Sequence, residues 1–325
     1  MTRGDLILAP KLRPSVPAKP SPGRLVFTED QLRRESIDTL KRFLRYKLDD
    51  YKVAIGSLAL NNQFYRGVKH REIPSLVSEL SYPPAAIVTS DGRANRAGTS
   101  MFYCSGAAPA VPFELRAKPG DLIALSAWRL KEQLWVHNLG YHPDALRRMG
   151  TPSTATRPSV ITHPIPGEGK ANARLRRLLS LAFTEDVREG EEFRYKQTIA
   201  INELLFDRAA PLHRYQDGPQ YDEAAGTAYP TMQMMGAADN LALLPKFVNS
   251  SLSISLALCL RVEAVDERKR SYTTLTVAHA DTFRDGVIHW RTDEPPPERD
   301  RRSHISFEQD HWVLRNDRGQ IYHVG

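Results

Sequence analysis

The segment 252–262 alternates bulky apolar residues with smaller or polar ones, and this alternation constrains the fold more than any other feature of the chain. Side chains that repeat at every second residue lie on one face of a β-strand. Such a strand has to pair in a sheet and bury its bulky face against a core. We therefore expect a sheet with at least one strongly apolar face.

Helical signals accompany this strand. Thr28 followed by Glu29 and Asp30 is typical of a helix start, and apolar residues then recur at helical spacing to about residue 50. Segments 171–183 and 192–206 are predicted to form two further helices. The sequence as a whole predicts an α+β fold, in which a mixed, partly split β-sheet is flanked by helices.

The remaining segments suggest three regions. Residues 1–60 combine a Pro-rich basic arm with the first helix, 61–260 form the main domain, and 261–325 form a C-terminal extension. Further strands are predicted at 64–68, 85–89, 100–105 and 121–127. Residues 151–170 contain four prolines and are predicted to form a long loop over a cleft. Residues 305–324 are predicted to form a β-hairpin with its turn at 316–319.

Composition excludes several classes of protein. The chain has 325 residues, 41% of them hydrophobic, but contains no apolar run long enough to span a membrane. Its N-terminus lacks the pattern of a signal peptide. Cys104 and Cys259 lie in apolar strand-like contexts, which argues against a disulfide scaffold. We expect a cytoplasmic protein, and delivery into another cell stays open.

The charge balance indicates a basic surface. The formal net charge is +7, but no zinc-finger, RRM or homeodomain pattern accompanies it, so direct binding to nucleic acid is not expected. There is no metal-binding histidine pattern, no G-x-S-x-G, no P-loop and no Rossmann fingerprint. The sequence therefore predicts neither a metal site nor a bound cofactor.

A set of short motifs carries the chemical signal. Segment 92–98 reads G-R-x-N-x-x-G and includes Arg93 and Asn95, with Tyr103 and Glu114 following it. Upstream, segment 64–68 reads FYRGV and contains Tyr65 and Arg66. Downstream, segment 226–231 reads GTAYPT and ends in Thr231. The ordered set resembles the RES domain, a family named for Arg, Glu and Ser residues.

That resemblance covers roughly residues 60–260 and has functional implications. RES domains are similar to ADP-ribosyltransferases, and their known members act on NAD as a substrate. They commonly serve as toxins that an antitoxin protein neutralises. The resemblance therefore implies an NAD glycohydrolase or phosphorylase. A protein ADP-ribosyltransferase and a non-enzymatic NAD-binding module remain as alternatives.

The resemblance also implies roles for individual residues. Glu114, in an apolar stretch, is the candidate carboxylate that stabilises the cationic transition state. Arg66 is expected to hold phosphate or ribose. Thr231 replaces the family's serine but keeps the hydroxyl, which is expected to bind ribose or orient Glu114. The expected substrate-binding residues, with roles in stacking or in shaping the pocket rim, are Tyr103, Arg93, Asn95 and Tyr65.

Overall fold

A computed structural model describes residues 27–48, 51–60, 62–151, 161–162, 165, 167–207, 223–292 and 301–324. Most of the predicted 151–170 loop and the Pro-rich arm lie outside these residues. The α-helices of the described chain are α1 (Glu29–Arg34), α2 (Ile37–Lys47), α3 (Val111–Glu114), α4 (Pro143–Met149), α5 (Lys170–Phe183), α6 (Tyr195–Asp207) and α7 (Pro245–Ser251). None of the helices in this part of the chain is long and apolar enough to cross a membrane.

The strands account for most of the architecture. They are β1 (Ile55–Leu58), β2 (Gln63–His70), β3 (Phe102–Ser105), β4 (Leu122–Leu130), β5 (Leu134–Asn138), β6 (Ile161–Thr162), β7 (Gly226–Pro230), β8 (Asp239–Leu243), β9 (Leu252–Asp266), β10 (Ser271–Ala280), β11 (Phe283–Arg284), β12 (Val287–Ile288), β13 (Arg302–Glu308), β14 (His311–Asn316) and β15 (Ile321–Val324). The fold is α+β, as predicted.

Thirteen of the described strands form one sheet, in the order β15-β14-β13-β10-β9-β4-β2-β3-β8-β7-β5-β1-β6. Neighbours run antiparallel except β5 and β7, which are parallel. The predicted boundary at residue 260 falls inside β9, and β10 and β13–β15 continue the same sheet. The C-terminal extension is therefore built onto the main sheet.

The sheet is narrowest between β2 and β3. β2 pairs with β4 along its whole length, from Gln63 to His70. β3 pairs with β8 along its whole length as well. Between β2 and β3, by contrast, the ladder consists of the single register pair Tyr65 and Ser105. Elsewhere along their facing edges, β2 and β3 share no further register pair among the described residues.

Strand β9 extends the predicted 252–262 segment. Its bulky residues Leu258 and Val262 pack with Val111 of α3 in one core cluster. Its small residue Ala257 lies in another cluster with Trp128. The centre of β9 is thus buried on both faces, because the core continues on both sides of the sheet there.

The predicted helix over 28–50 is interrupted. Thr28 caps α1 through a capping box with Gln31. Glu35 is extended, and the Ser36 hydroxyl then accepts a hydrogen bond from the Thr39 N–H to start α2. A second capping residue inside the apolar pattern therefore divides the helix into two. Both parts pack against α6 in a shared core.

The prediction of a strand at 85–89 is wrong. Ala85–Ile87 forms a short 3₁₀ turn that starts after Pro84. Proline lacks the N–H that a sheet ladder needs, and the segment instead closes a loop through the Gly98 N–H bonding the Val88 carbonyl at 2.7 Å. The predicted C-terminal hairpin is part of a three-stranded meander, in which the 316–319 turn joins β14 to β15.

Candidate active site

A cavity of about 820 Å³ opens where the two halves of the sheet separate. Strands β2 and β3 supply its floor, and α3 and the 186–192 segment supply walls. The side chains that line it and matter below are Tyr65, Arg66, Arg93, Tyr103, Glu114, Arg116, Tyr195, Tyr229, Gln233 and Asn240. The cavity thus gathers residues from distant parts of the sequence.

Glu114 is the last residue of the short helix α3, which packs directly on β2. Gly67 makes this contact possible: a Cβ atom at Gly67 would lie 2.2 Å from Val111 Cγ1 and 2.9 Å from Leu115 Cδ1. The space that a side chain at Gly67 would fill is taken by Val111 and Leu115, so Gly67 determines how close Glu114 comes to the sheet.

The environment of Glu114 opposes its ionisation. The carboxylate is exposed to the cavity, but surrounding protein atoms displace water from it, and this desolvation raises its pKa. The Asn240 amide, the Arg93 guanidinium and the Gln233 backbone N–H favour the charged form and partly offset the burial. The site therefore holds a carboxylate that faces the cavity and has a raised pKa, with donors from two other segments beside it.

Arg66 lies on β2 at the separation of the sheet. Its Nε donates to the Ser81 carbonyl at 3.0 Å, and its Nη1 donates to the Tyr103 carbonyl at 2.8 Å. Burial lowers its pKa to about 10, which still leaves it charged at neutral pH. Among the described residues no carboxylate forms an ion pair with Arg66. Its charge is therefore available to an anion in the cavity.

Arg93 forms part of the opposite wall. Its guanidinium donates to the carbonyls of Phe183 and Glu185, at the C-terminal end of α5. It also lies over the rings of Tyr195 and Tyr229, with its Cζ 5.3 Å and 5.6 Å from the ring centroids. No acidic partner within ion-pair distance is present in the described chain. Arg93 both holds this wall together and contributes a positive charge to the cavity, near Glu114.

Tyr103 is held by the G-R-x-N loop. Its hydroxyl donates to Asn95 Oδ1 at 2.6 Å and accepts from the Ala94 N–H at 2.9 Å. A Cβ atom on Gly92 would lie 2.7 Å from that hydroxyl, so glycine leaves the space it needs. The ring of Tyr103 is thereby fixed as a cavity wall. Asn95 is behind the ring and does not line the cavity.

Tyr65 and Thr231, the last two predicted site residues, differ in whether a ligand in the cavity could reach them. Tyr65 lines the cavity, and its hydroxyl donates to the Gln63 side chain at 3.2 Å. Thr231 is fully buried, with 0% exposure, and is not part of the cavity wall. Its hydroxyl has no hydrogen-bond partner among the described residues. A ligand in the cavity would contact Met232 and Gln233 beside it rather than Thr231.

Sequence reasoning missed Asn240, Gln233, Tyr229 and Tyr195 as site residues. Asn240 is the clearest case, because its amide faces Glu114 from strand β8. A polar residue at the start of the apolar run 240–244 was a usable signal. Gln233 acts through its backbone, which no side-chain pattern reveals.

No known protein-family model, curated protein or solved structure matches this chain. The chain is an α+β protein with a large, mostly antiparallel sheet, and it has a cavity lined by charged, polar and aromatic side chains where that sheet narrows to one residue pair.

Proposed function

We propose that this protein cleaves the nicotinamide–ribose bond of NAD. The observation that carries the proposal is the convergence of Arg66, Arg93, Tyr103 and Glu114 on one cavity at the separation of the sheet. Arg66 comes from the 64–68 motif and the other three from the 92–98 motif and the stretch that follows it, and all four were proposed from the resemblance to RES domains. Their meeting in space supports a common ligand.

The chemistry of the bond suits this site. Nicotinamide leaves a pyridinium ribose as a neutral molecule, so no general acid is required. The transition state carries positive charge on the ribose, as in glycoside hydrolysis. A desolvated carboxylate such as Glu114 stabilises that charge more strongly than a hydrated one does. Asn240 and the Gln233 N–H would hold the carboxylate in place.

The remaining groups suit the rest of the dinucleotide. Arg66 and Arg93 supply two positive charges for the pyrophosphate, and the planar guanidinium matches phosphate oxygens well. The ring of Tyr103, held by its hydroxyl, offers a flat surface for nicotinamide or adenine. Thr231 would act at most indirectly, because it is buried behind the wall.

The proposal extends to fold and biological role. A sheet divided near its centre, with the site at the division, is the arrangement expected of an ADP-ribosyltransferase-like fold. On the same resemblance, the protein would act in the cytoplasm as an NAD-depleting toxin. An antitoxin or other inhibitory protein would restrain it.

Incubation of purified protein with NAD tests the proposal, with nicotinamide release followed by chromatography. ADP-ribose as product indicates water as acceptor, and the 1″-phosphate indicates added phosphate. Transfer of label from radioactive NAD to protein indicates an ADP-ribosyltransferase. Binding of NAD without nicotinamide release would identify a non-enzymatic binding module.

Glu114→Gln is the decisive variant, and we expect it to lower NAD cleavage about 100–1000-fold, the usual effect of losing one electrostatic contact. Glu263→Gln provides a matched control, because Glu263 pairs with Arg302 on the exterior, away from the cavity. Equal activity of wild type and Glu114→Gln would refute the assignment. Loss in both variants would indicate a general structural effect.

A further inference from the structure

The C-terminal part of the chain contacts two residues next to the Glu114 site, Phe113 and Met234, which are called its supports. Trp312, on strand β14, is fully buried with 1% exposure. Its indole N–H donates to the Met234 carbonyl at 3.2 Å, and its ring meets the Phe113 ring edge-on with centroids 5.1 Å apart. Phe113 directly precedes Glu114, and Met234 directly follows Gln233.

The two contacts lie on either side of the carboxylate. Phe113 belongs to α3, which carries Glu114, and the turn at Met234 carries the Gln233 N–H that faces the same carboxylate. Tyr272 on β10 reinforces the first contact: its ring lies 4.5 Å from Phe113, and its hydroxyl donates to the Pro109 carbonyl. Trp312 and Tyr272, both from the C-terminal part of the chain, thus pack in one core cluster with Phe113 and Met234.

We propose that Trp312 is a positioning residue that holds Glu114 and its backbone donor, Gln233, in register with each other. Trp312 touches neither the cavity nor a ligand, and it would act only through Phe113 and Met234. On this proposal, the C-terminal extension is required to position the site residues, although it does not line the cavity. The kinetic side of this inference rests on the proposed NAD cleavage.

Two substitutions separate the contacts. Trp312→Phe keeps an aromatic ring against Phe113 but removes the N–H donor to Met234, and we expect kcat to fall about fivefold, the typical effect of one hydrogen bond. Trp312→Ala removes both contacts, and we expect kcat to fall about 100-fold, as for a misplaced reacting group. KM for NAD should stay within about twofold, because the arginines are untouched.

A direct readout of Glu114 does not depend on turnover. The carboxyl titration of Glu114 can be followed by carbon NMR in full-length protein labelled at glutamate, with Glu114→Gln identifying the resonance. Loosening the Gln233 donor removes a bond to the charged form, so the titration midpoint should move to higher pH in both Trp312 variants. Arg93 and Arg116 are the other charged groups facing Glu114, and neither is altered.

Val313→Ala is the matched control, because Val313 is a buried neighbour on the same strand whose side chain points to the opposite face of the sheet. An upward midpoint shift in both Trp312 variants, beyond that of Val313→Ala, supports the inference. Midpoints equal to that of Val313→Ala would overturn it. If the wild type releases no nicotinamide, the proposed function fails, but the titration still decides whether Trp312 positions Glu114.

Discussion

Tyr65 and Ser105 form the single register pair between β2 and β3, and they join two halves of a sheet that are each continuously paired. The cavity opens beside this pair, with Arg66 next to Tyr65 and Cys104 next to Ser105 on its lining. The position of the site follows from this narrow joint, because a fully paired β2–β3 ladder would close the space.

Glu114→Gln should change stability in a pH-dependent way. The folded-state pKa of Glu114 is raised by burial, so the folded protein holds this proton more tightly than the unfolded chain does. Wild-type stability therefore falls as pH rises from the ordinary carboxyl pKa through the raised one. We expect Glu114→Gln to have a higher Tm than wild type above this window.

Below the ordinary carboxyl pKa, the difference in Tm between the two proteins should vanish. Thermal melts from pH 4 to pH 8 measure the trend, with Glu263→Gln as the exterior control. A Tm difference independent of pH would show that Glu114 is not desolvated. For the same reason, NAD cleavage by the wild type should decline as pH falls through the raised pKa of Glu114.

Arg66→Lys should weaken NAD binding and loosen the joint. Lysine cannot bond the carbonyls of Ser81 and Tyr103 while also presenting a fork to phosphate. We expect KM for NAD to rise at least about tenfold. Arg129→Lys is the control, because Arg129 is exposed on the neighbouring strand β4 outside the cavity. An unchanged KM would place Arg66 outside the ligand site.

Gly67→Ala should displace the helix that carries Glu114. The new methyl group would overlap Val111 Cγ1, so we expect a loss of about 1–3 kcal/mol in the free energy of unfolding together with reduced activity. The double variant Gly67→Ala/Val111→Ala should recover part of both, because it vacates the space. Denaturant unfolding and nicotinamide release measure the two effects.

Gly169→Ala is the control for an added methyl group without overlap, because a Cβ there would have no atom within 4 Å apart from its chain neighbours. Gly169 is the N-cap of α5, so this control should show only the cost of alanine at a cap and no recovery when combined with Val111→Ala. Independent, additive effects of the Gly67 and Val111 substitutions would argue against the steric explanation.

Thr231→Val distinguishes two roles for the buried hydroxyl. Because that hydroxyl has no partner among the described residues, replacing it with a methyl group should stabilise the fold by about 1 kcal/mol. NAD cleavage should be retained. If the folded Val variant is inactive while Thr231→Ser is active, the hydroxyl takes part in the reaction, as the family resemblance suggested.

Features set by neighbouring residues were predictable from the sequence. The period of two in β9, the capping signal at Thr28 and the apolar stripe of α5 depend on spacing along the chain. One local signal was missed: Ser36 was predicted to lie inside a single helix, but it caps a second helix, α2. The prediction of a strand at 85–89 rested on apolar composition and was wrong, because the prolines directly before the segment favour a turn.

The sequence alone determined which charged, polar and aromatic residue types were available to the cavity, and it placed them on strands and turns. Only the tertiary structure decided that Arg66 bonds the Tyr103 carbonyl across the sheet division, that Gly67 accommodates Val111, and that Thr231 is buried outside the cavity lining. The tertiary structure also brought Trp312 into contact with Phe113 and Met234, which flank the Glu114 site. These contacts join residues far apart in the chain, and spacing along the sequence carries no information about such distances.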